Sequence, residues 1–223
     1  MRRSRLIAAA LAATLTLGTV ATALAIVPGA LHGAAHGAKT ESGAFHDAMR
    51  KLWEDHITWT RLFIVSAATL PDNLPDTGPT ADRLLANQAD IGDALGPFYG
   101  DEVGDAVTAL LREHILTAAD IIAAAKAGDD AARDEAIAKW YANANEIADA
   151  LHGLNPRHWP QDEMRAMMKA HLDRTLEEAV ARLEGRYDDD IAAYEQVHAD
   201  ILAMADMLSD GIVAQFPDEF RGH

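Results

Sequence analysis

Cysteine is missing from all 223 residues. That excludes disulfides, thiolate metal sites, haem held through paired cysteines and a lipid-modified cysteine behind an export signal. Basic residues are scarce, with 19 Lys and Arg against 35 Asp and Glu. A surface so acidic repels nucleic acid and anionic headgroups, which argues against both as partners. No segment alternates with period two for long enough to make a strand. No Gly-rich phosphate loop, serine-nucleophile elbow or His-Glu-x-x-His occurs either. Hydrolase and transferase readings therefore have no footing, and the expectation leans away from an enzyme.

The first segment stands apart from the rest. Arg2, Arg3 and Arg5 precede an apolar run, residues 6–27, that carries no charge, and Ala23-Leu24-Ala25 offers small residues for cleavage. This is the pattern of a secretory signal over 1–25. Left uncut, the run is long enough to anchor the chain in a bilayer. The expected location is secreted or extracytoplasmic, with membrane contact only through residues 6–27. Beyond Ala25 the chain has 16 basic against 35 acidic residues, a formal charge of −19. Held without disulfides, such a domain depends on packing alone.

Residues 26–44 are small and polar without an apolar period and read as a flexible linker. From residue 45 the period is helical. Six helices are expected, over 45–69, 80–95, 101–127, 130–153, 161–185 and 188–215. The stretches between them (LPDNLPDTGP, GPFYG, AGD, GLNPRHWP and EGRYD) supply the Pro, Gly and Asn that stop helices. The expected fold is an all-α bundle over 45–217, with a short tail at 218–223.

The chain also resembles itself. NQADIGDAL at 87–95 and NANEIADAL at 143–151 share five of nine positions. DHITWT at 55–60, EHILTA at 113–118 and AHLDRT at 170–175 align on histidines 58 and 57 residues apart, close to the 56-residue offset of the asparagines. The repeating unit is a helical hairpin with a histidine on its first helix and, in two units, an asparagine on its second. In the third unit Val197 and His198 stand near the asparagine position.

Helical spacing turns these residues inward. His56 shares a stripe with Leu52, Thr60 and Phe63; His114 with Val107, Leu110 and Ile121; His171 with Met164, Met168, Thr175 and Glu178. His198 falls on a stripe with Ile191, Tyr194 and Ile201. Imidazole is the usual nitrogen ligand of Zn, Cu, Fe and Ni, and bundle cores build such sites from facing helices. The expected site is a metal ion or small ligand held by His56, His114, His171 and Glu178. Asn87, Asn143, Thr60, Thr175, His198 and Arg61 are expected to support it as ligand contacts or by fixing imidazole tautomers. The competing expectation is a non-enzymatic cell-envelope scaffold or interaction domain whose histidines are packing details. Methionines at helical spacing (Met164, Met167, Met168, Met204, Met207) read as core filler rather than copper ligands.

In order along the chain, LWEDHITWTR, RLLANQADIG, LLREHILTAAD, KWYANANEIA, HLDRTLEEAVARL and MADMLSDGIVAQFP resemble a family of exported bacterial all-helical proteins of unassigned function. The likeness spans about Leu52 to Pro217. It implies a secreted or surface-held helical domain and brings no ligand residues with it.

Overall fold

The structure, a computed structural model, describes residues 40–221. The expected signal segment and the expected linker up to residue 39 lie outside the described residues. Seven α-helices follow: α1 Glu41–Ala67, α2 Thr77–Asp93, the single turn α3 Gly96–Tyr99, α4 Asp101–Ala127, α5 Asp130–Leu154, α6 Gln161–Leu183 and α7 Tyr187–Gln215. A 3₁₀ turn, Pro217–Phe220, follows α7. No strand occurs among the described residues, and none of their helices is long and apolar enough to cross a membrane.

Local chemistry sets most of the ends. The Thr40 hydroxyl accepts from the Gly43 amide at 3.1 Å, so α1 starts at Glu41 and the last residues of the expected linker are helical. The Asp129 carboxylate accepts from the Ala132 amide at 3.0 Å, satisfying a free donor in the first turn of α5. Gly128 ends α4 in the left-handed region at φ 70°, which a side chain would resist. The GPFYG stretch, expected as a break, folds into α3, and part of the expected tail is the 3₁₀ turn.

The six long helices form a closed ring: α1 packs on α2, α2 on α4, α4 on α5, α5 on α6, α6 on α7, and α7 back on α1. Alternate members α4 and α6 also touch α1 across the middle. The ring tightens where glycine allows it. A Cβ on Gly104 of α4 would lie 2.6 Å from the Gly92 carbonyl of α2, so this crossing requires both to be bare. At one end, Phe45, Phe98 and Phe220 meet at ring separations of 5.2–5.6 Å, joining the start of α1 to α3 and the final turn. Trp159, fully buried, donates to the Met207 carbonyl at 3.2 Å and locks the α5–α6 connection onto α7.

Two hydrophobic clusters fill the ring. The larger runs from Met49 and Trp53 through Ile91, Leu111, Trp140, Ile147, Leu172 and Ile201 to Ile212. The smaller, Ile64, Ala67, Ala68, Ile122 and Ala179 with Phe63 and Leu183, lies at the C-terminal ends of α1, α4 and α6. The expected inward stripe of α7 holds at Ile201, Ala205, Leu208 and Ile212, but Ile191 is 51% exposed.

Candidate functional site

His56 on α1, His114 on α4 and His171 on α6 line one interior cavity with Trp140 of α5 and Leu84 of α2. Each histidine is no more than 4% exposed. The His56 and His171 rings are 5.9 Å apart between centres, and His114 and His171 are 6.3 Å apart. Trp140 stacks on His114 at 5.1 Å. Thr60, Phe63, Ile64, Ile115, Ala118, Ile121, Ile122, Thr175, Leu176 and Ala179 complete walls that are mainly apolar. The free space is about 30 Å³, room for one water molecule. The three expected histidines line the same cavity, each supplied by the first helix of its hairpin.

Burial disfavours the imidazolium, so all three rings are neutral at pH 7. The pKa of His56 falls to about 4 by desolvation, opposed by the nearby Gln88 side chain. That of His114 falls to about 3 through desolvation and the proximity of His56, with Asn143 opposing. His171 lies well below the ordinary value for the same reasons, desolvation first and then the other two histidines.

The hydrogen bonds fix one tautomer. Asn143 Nδ2 donates to the Leu110 carbonyl at 3.1 Å, so its Oδ1 faces His114 Nδ1 at 3.0 Å as an acceptor. His114 therefore carries its proton on Nδ1 and has its lone pair on Nε2. Asn87 makes the equivalent backbone bond in the first hairpin, donating at 3.1 Å to the carbonyl of Leu52. In both hairpins the acceptor is the residue four before the histidine. Asn87 Oδ1, however, accepts from Gln88 at 3.2 Å and not from His56. His56 Nδ1, His171 Nδ1, Gln88 Oε1 and Trp140 Nε1 are buried with no hydrogen-bond partner. Gln88 and Trp140 were not among the residues expected at the site. Their only sequence signals are adjacency to Asn87 and the stripe shared with Asn143.

Other expected members stand elsewhere or act differently. Thr60 and Thr175 line the cavity, yet each hydroxyl donates at 2.8 Å to the carbonyl of its own helix's histidine, His56 or His171. That orders the helix and leaves the imidazole tautomers alone. Glu178 is absent from the cavity walls. It is 1% exposed and accepts from Arg61 at 2.9 Å. Arg61 also holds the fully buried Asp190 of α7 through both guanidinium nitrogens, and Arg182 reaches Asp190 at 3.5 Å. Desolvation raises the Glu178 pKa to about 7, with Arg61 pulling it down and Asp190 pushing it up. His198 is half-exposed and bonds Glu54 at 2.9 Å, outside the core. The buried methionines Met164, Met168 and Met204 pack in the larger cluster, and none lines the cavity.

Metal geometry sets a limit on the site as it stands. Three imidazoles on one ion at metal–nitrogen distances of about 2.0–2.1 Å have ring centres about 5 Å apart, and the separations here are wider. Among the described residues no group of three or more His, Asp or Glu side chains is placed to hold a metal ion. A serine–histidine–aspartate row also exists, with Ser209 Oγ 2.7 Å from His46 Nδ1 and His46 Nε2 3.1 Å from Asp210. It has no use as a nucleophile. Ser209 is fully buried, its hydroxyl also bonds the Ala205 carbonyl at 2.8 Å, and none of the described cavities is lined by it.

Comparison of the chain with family models, curated proteins and solved structures finds no match.

Proposed function

We propose that this protein is an exported binding module that holds one ligand of only a few heavy atoms in the cavity between His56, His114 and His171, whose walls must yield slightly to admit anything larger than water. The observation that carries the reading is the set of unsatisfied groups. The His171 imidazole and the Trp140 indole N–H are buried on the cavity wall with nothing to bond, and His56 Nδ1 has only the loosely placed Gln88 amide oxygen near it. A buried polar group without a partner costs about 1–3 kcal/mol, and a ligand with donors and acceptors would recover that cost. The signal-like pattern over residues 1–25 supports a place outside the cytoplasm. A Zn, Cu, Fe or Ni ion is a second candidate for the same cavity, and binding it would require the rings to close on a common point.

Native mass spectrometry of tag-free protein, with elemental analysis of the same sample, tests the reading. The expected result is one retained small species per chain that disappears in His56→Ala/His114→Ala. A bare chain, or a bound species that survives the double substitution, would sink it.

A second reading, a cell-envelope scaffold with structural histidines, draws on Asn87 and Asn143. Their matched bonds to Leu52 and Leu110 join each hairpin's two helices. The same two hairpins carry the related asparagine segments, which supports duplication of a packing unit. On this reading the double substitution changes stability and no bound species is found.

A further inference from the structure

Outside the histidine cavity lies a surface concavity of about 510 Å³ between α1, α4 and the start of α2, lined by Pro71, Asn73, Ala119, Ala123 and Lys126 among others. It shares two residues with the cavity, Phe63 and Ile122, so these side chains form the partition between the two spaces. Both belong to the smaller hydrophobic cluster. A wall with few apolar neighbours opens at lower free energy than the main core.

Residues 68–76 run over the same end, and Lys126 straps them down. Its ammonium donates to the Ala67 carbonyl at 2.8 Å, the Thr69 carbonyl at 2.7 Å and Asn73 Oδ1 at 2.5 Å. One α4 side chain thus caps the end of α1 and holds the strap. The connection closes on itself through Ser66 and Asp76 at 2.7 Å and through the Leu74 amide to the Ser66 carbonyl at 3.0 Å.

The chemistry along this line selects what passes. The partition is apolar. The cavity behind it has neutral histidines and no carboxylate, because Glu178 is engaged by Arg61. An ion entering would shed its hydration and meet no opposite charge, which is costly in an apolar interior. A small uncharged molecule with a hydrogen-bonding group meets neither obstacle.

We infer that the histidine cavity is filled from the outer concavity by a small uncharged molecule passing between Phe63 and Ile122, with the Lys126-held strap controlling entry. This rests on the ligand-binding reading above, but its test needs no ligand. The chain has no cysteine, so Thr175→Cys places a single thiol on the cavity wall. The full chain carrying it is treated with uncharged methyl methanethiosulfonate, and separately with the sulfonatoethyl and trimethylammonioethyl reagents. Labelling is followed by mass.

The expected result is labelling by the uncharged reagent at least tenfold faster than by either charged one. Phe63→Ala, and independently Lys126→Met, should raise the uncharged rate about tenfold. Leu208→Ala, which weakens the main core away from the strap, should leave it within about twofold. Equal rates for the three reagents, no acceleration in either opening variant, or equal acceleration by Leu208→Ala would overturn the route. Lys126→Met changes a side chain at the surface end of α4, so the test survives if Phe63→Ala does not fold. A bound species in the mass spectrum without gated labelling would refute the route alone, and gated labelling of an empty cavity would refute the ligand reading alone.

Discussion

Around Arg61, two buried carboxylates are matched by guanidinium groups that touch them: Glu178 by Arg61, Asp190 by Arg61 and Arg182. Further along the same helices, His56 and His171 have Nδ1 atoms without a hydrogen bond. Both regions bury polar chemistry between α1 and α6, yet one is complete within the chain and the other is open. The difference separates a structural device from a site. Ion pairs that satisfy one another require nothing further, whereas buried groups left unsatisfied lose stability that a ligand would restore.

The comparison breaks most visibly at Arg61. Replacing it with leucine strands the buried Glu178 and leaves Asp190 with Arg182 alone, and a loss of roughly 3–5 kcal/mol is expected, read from urea unfolding at pH 7.5. A loss under about 1 kcal/mol would mean the network is not holding the helices together.

Next in size is the acid response, in which the two regions oppose each other. The folded pKa of His56 lies near 4, below the ordinary 6.5, so the unfolded chain binds more protons in that window. Its contribution to stability is complete above about pH 6.5 and falls through about pH 4, by about 3 kcal/mol in all. His114 and His171 act in the same sense. Glu178 acts in the other: its folded pKa is raised from 4.5 to about 7, so its contribution falls as pH rises across that window. Unfolding curves from pH 8 to pH 4 should show net acid loss. The loss should shrink in His171→Phe and steepen in Glu178→Gln, and a profile unmoved by both would break the assignment.

Asn143→Ala sharpens the view of the one satisfied histidine. It leaves the buried His114 Nδ1–H without its partner and takes the second donor from the Leu110 carbonyl, at an expected cost of about 1–3 kcal/mol. By contrast, His171→Leu at pH 7.5 removes a ring nitrogen that bonds nothing. A change within about 1 kcal/mol of zero is expected. A large loss there would show that His171 already has a structural role.

Helical periodicity identified the six long helices and turned His56, His114 and His171 inward, because a stripe repeats every turn and needs no knowledge of the neighbouring helix. The 56-residue offset matched Asn87 to Asn143, and both donate to the carbonyl four residues before a histidine. What it missed depends on tertiary contacts. Glu178 lies on the inward stripe of His171, but whether it reaches a cavity or a guanidinium depends on where Arg61 of α1 lies. His198 fell on an apolar stripe as well, yet its long axis leads out to Glu54 between α7 and α1. Gln88 was passed over because an amide beside Asn87 has no period of its own. Residues 41–44 lack apolar residues to show a period, but a capping threonine suffices to start their helix.

The closure of α7 onto α1 also bears on the order of the helices in the ring. Arg50 with Asp206 and Glu54 with His198 are bonds between the first helix and the last, made as any consecutive pair in the ring would make them. Glu41 and Gln215 end at the same side, where Phe45 meets Phe220 at 5.2 Å. The break between the ends is therefore a seam only in the covalent chain. Joined there and cut at the Gly128 turn, the same residues would trace the same ring from a different starting helix.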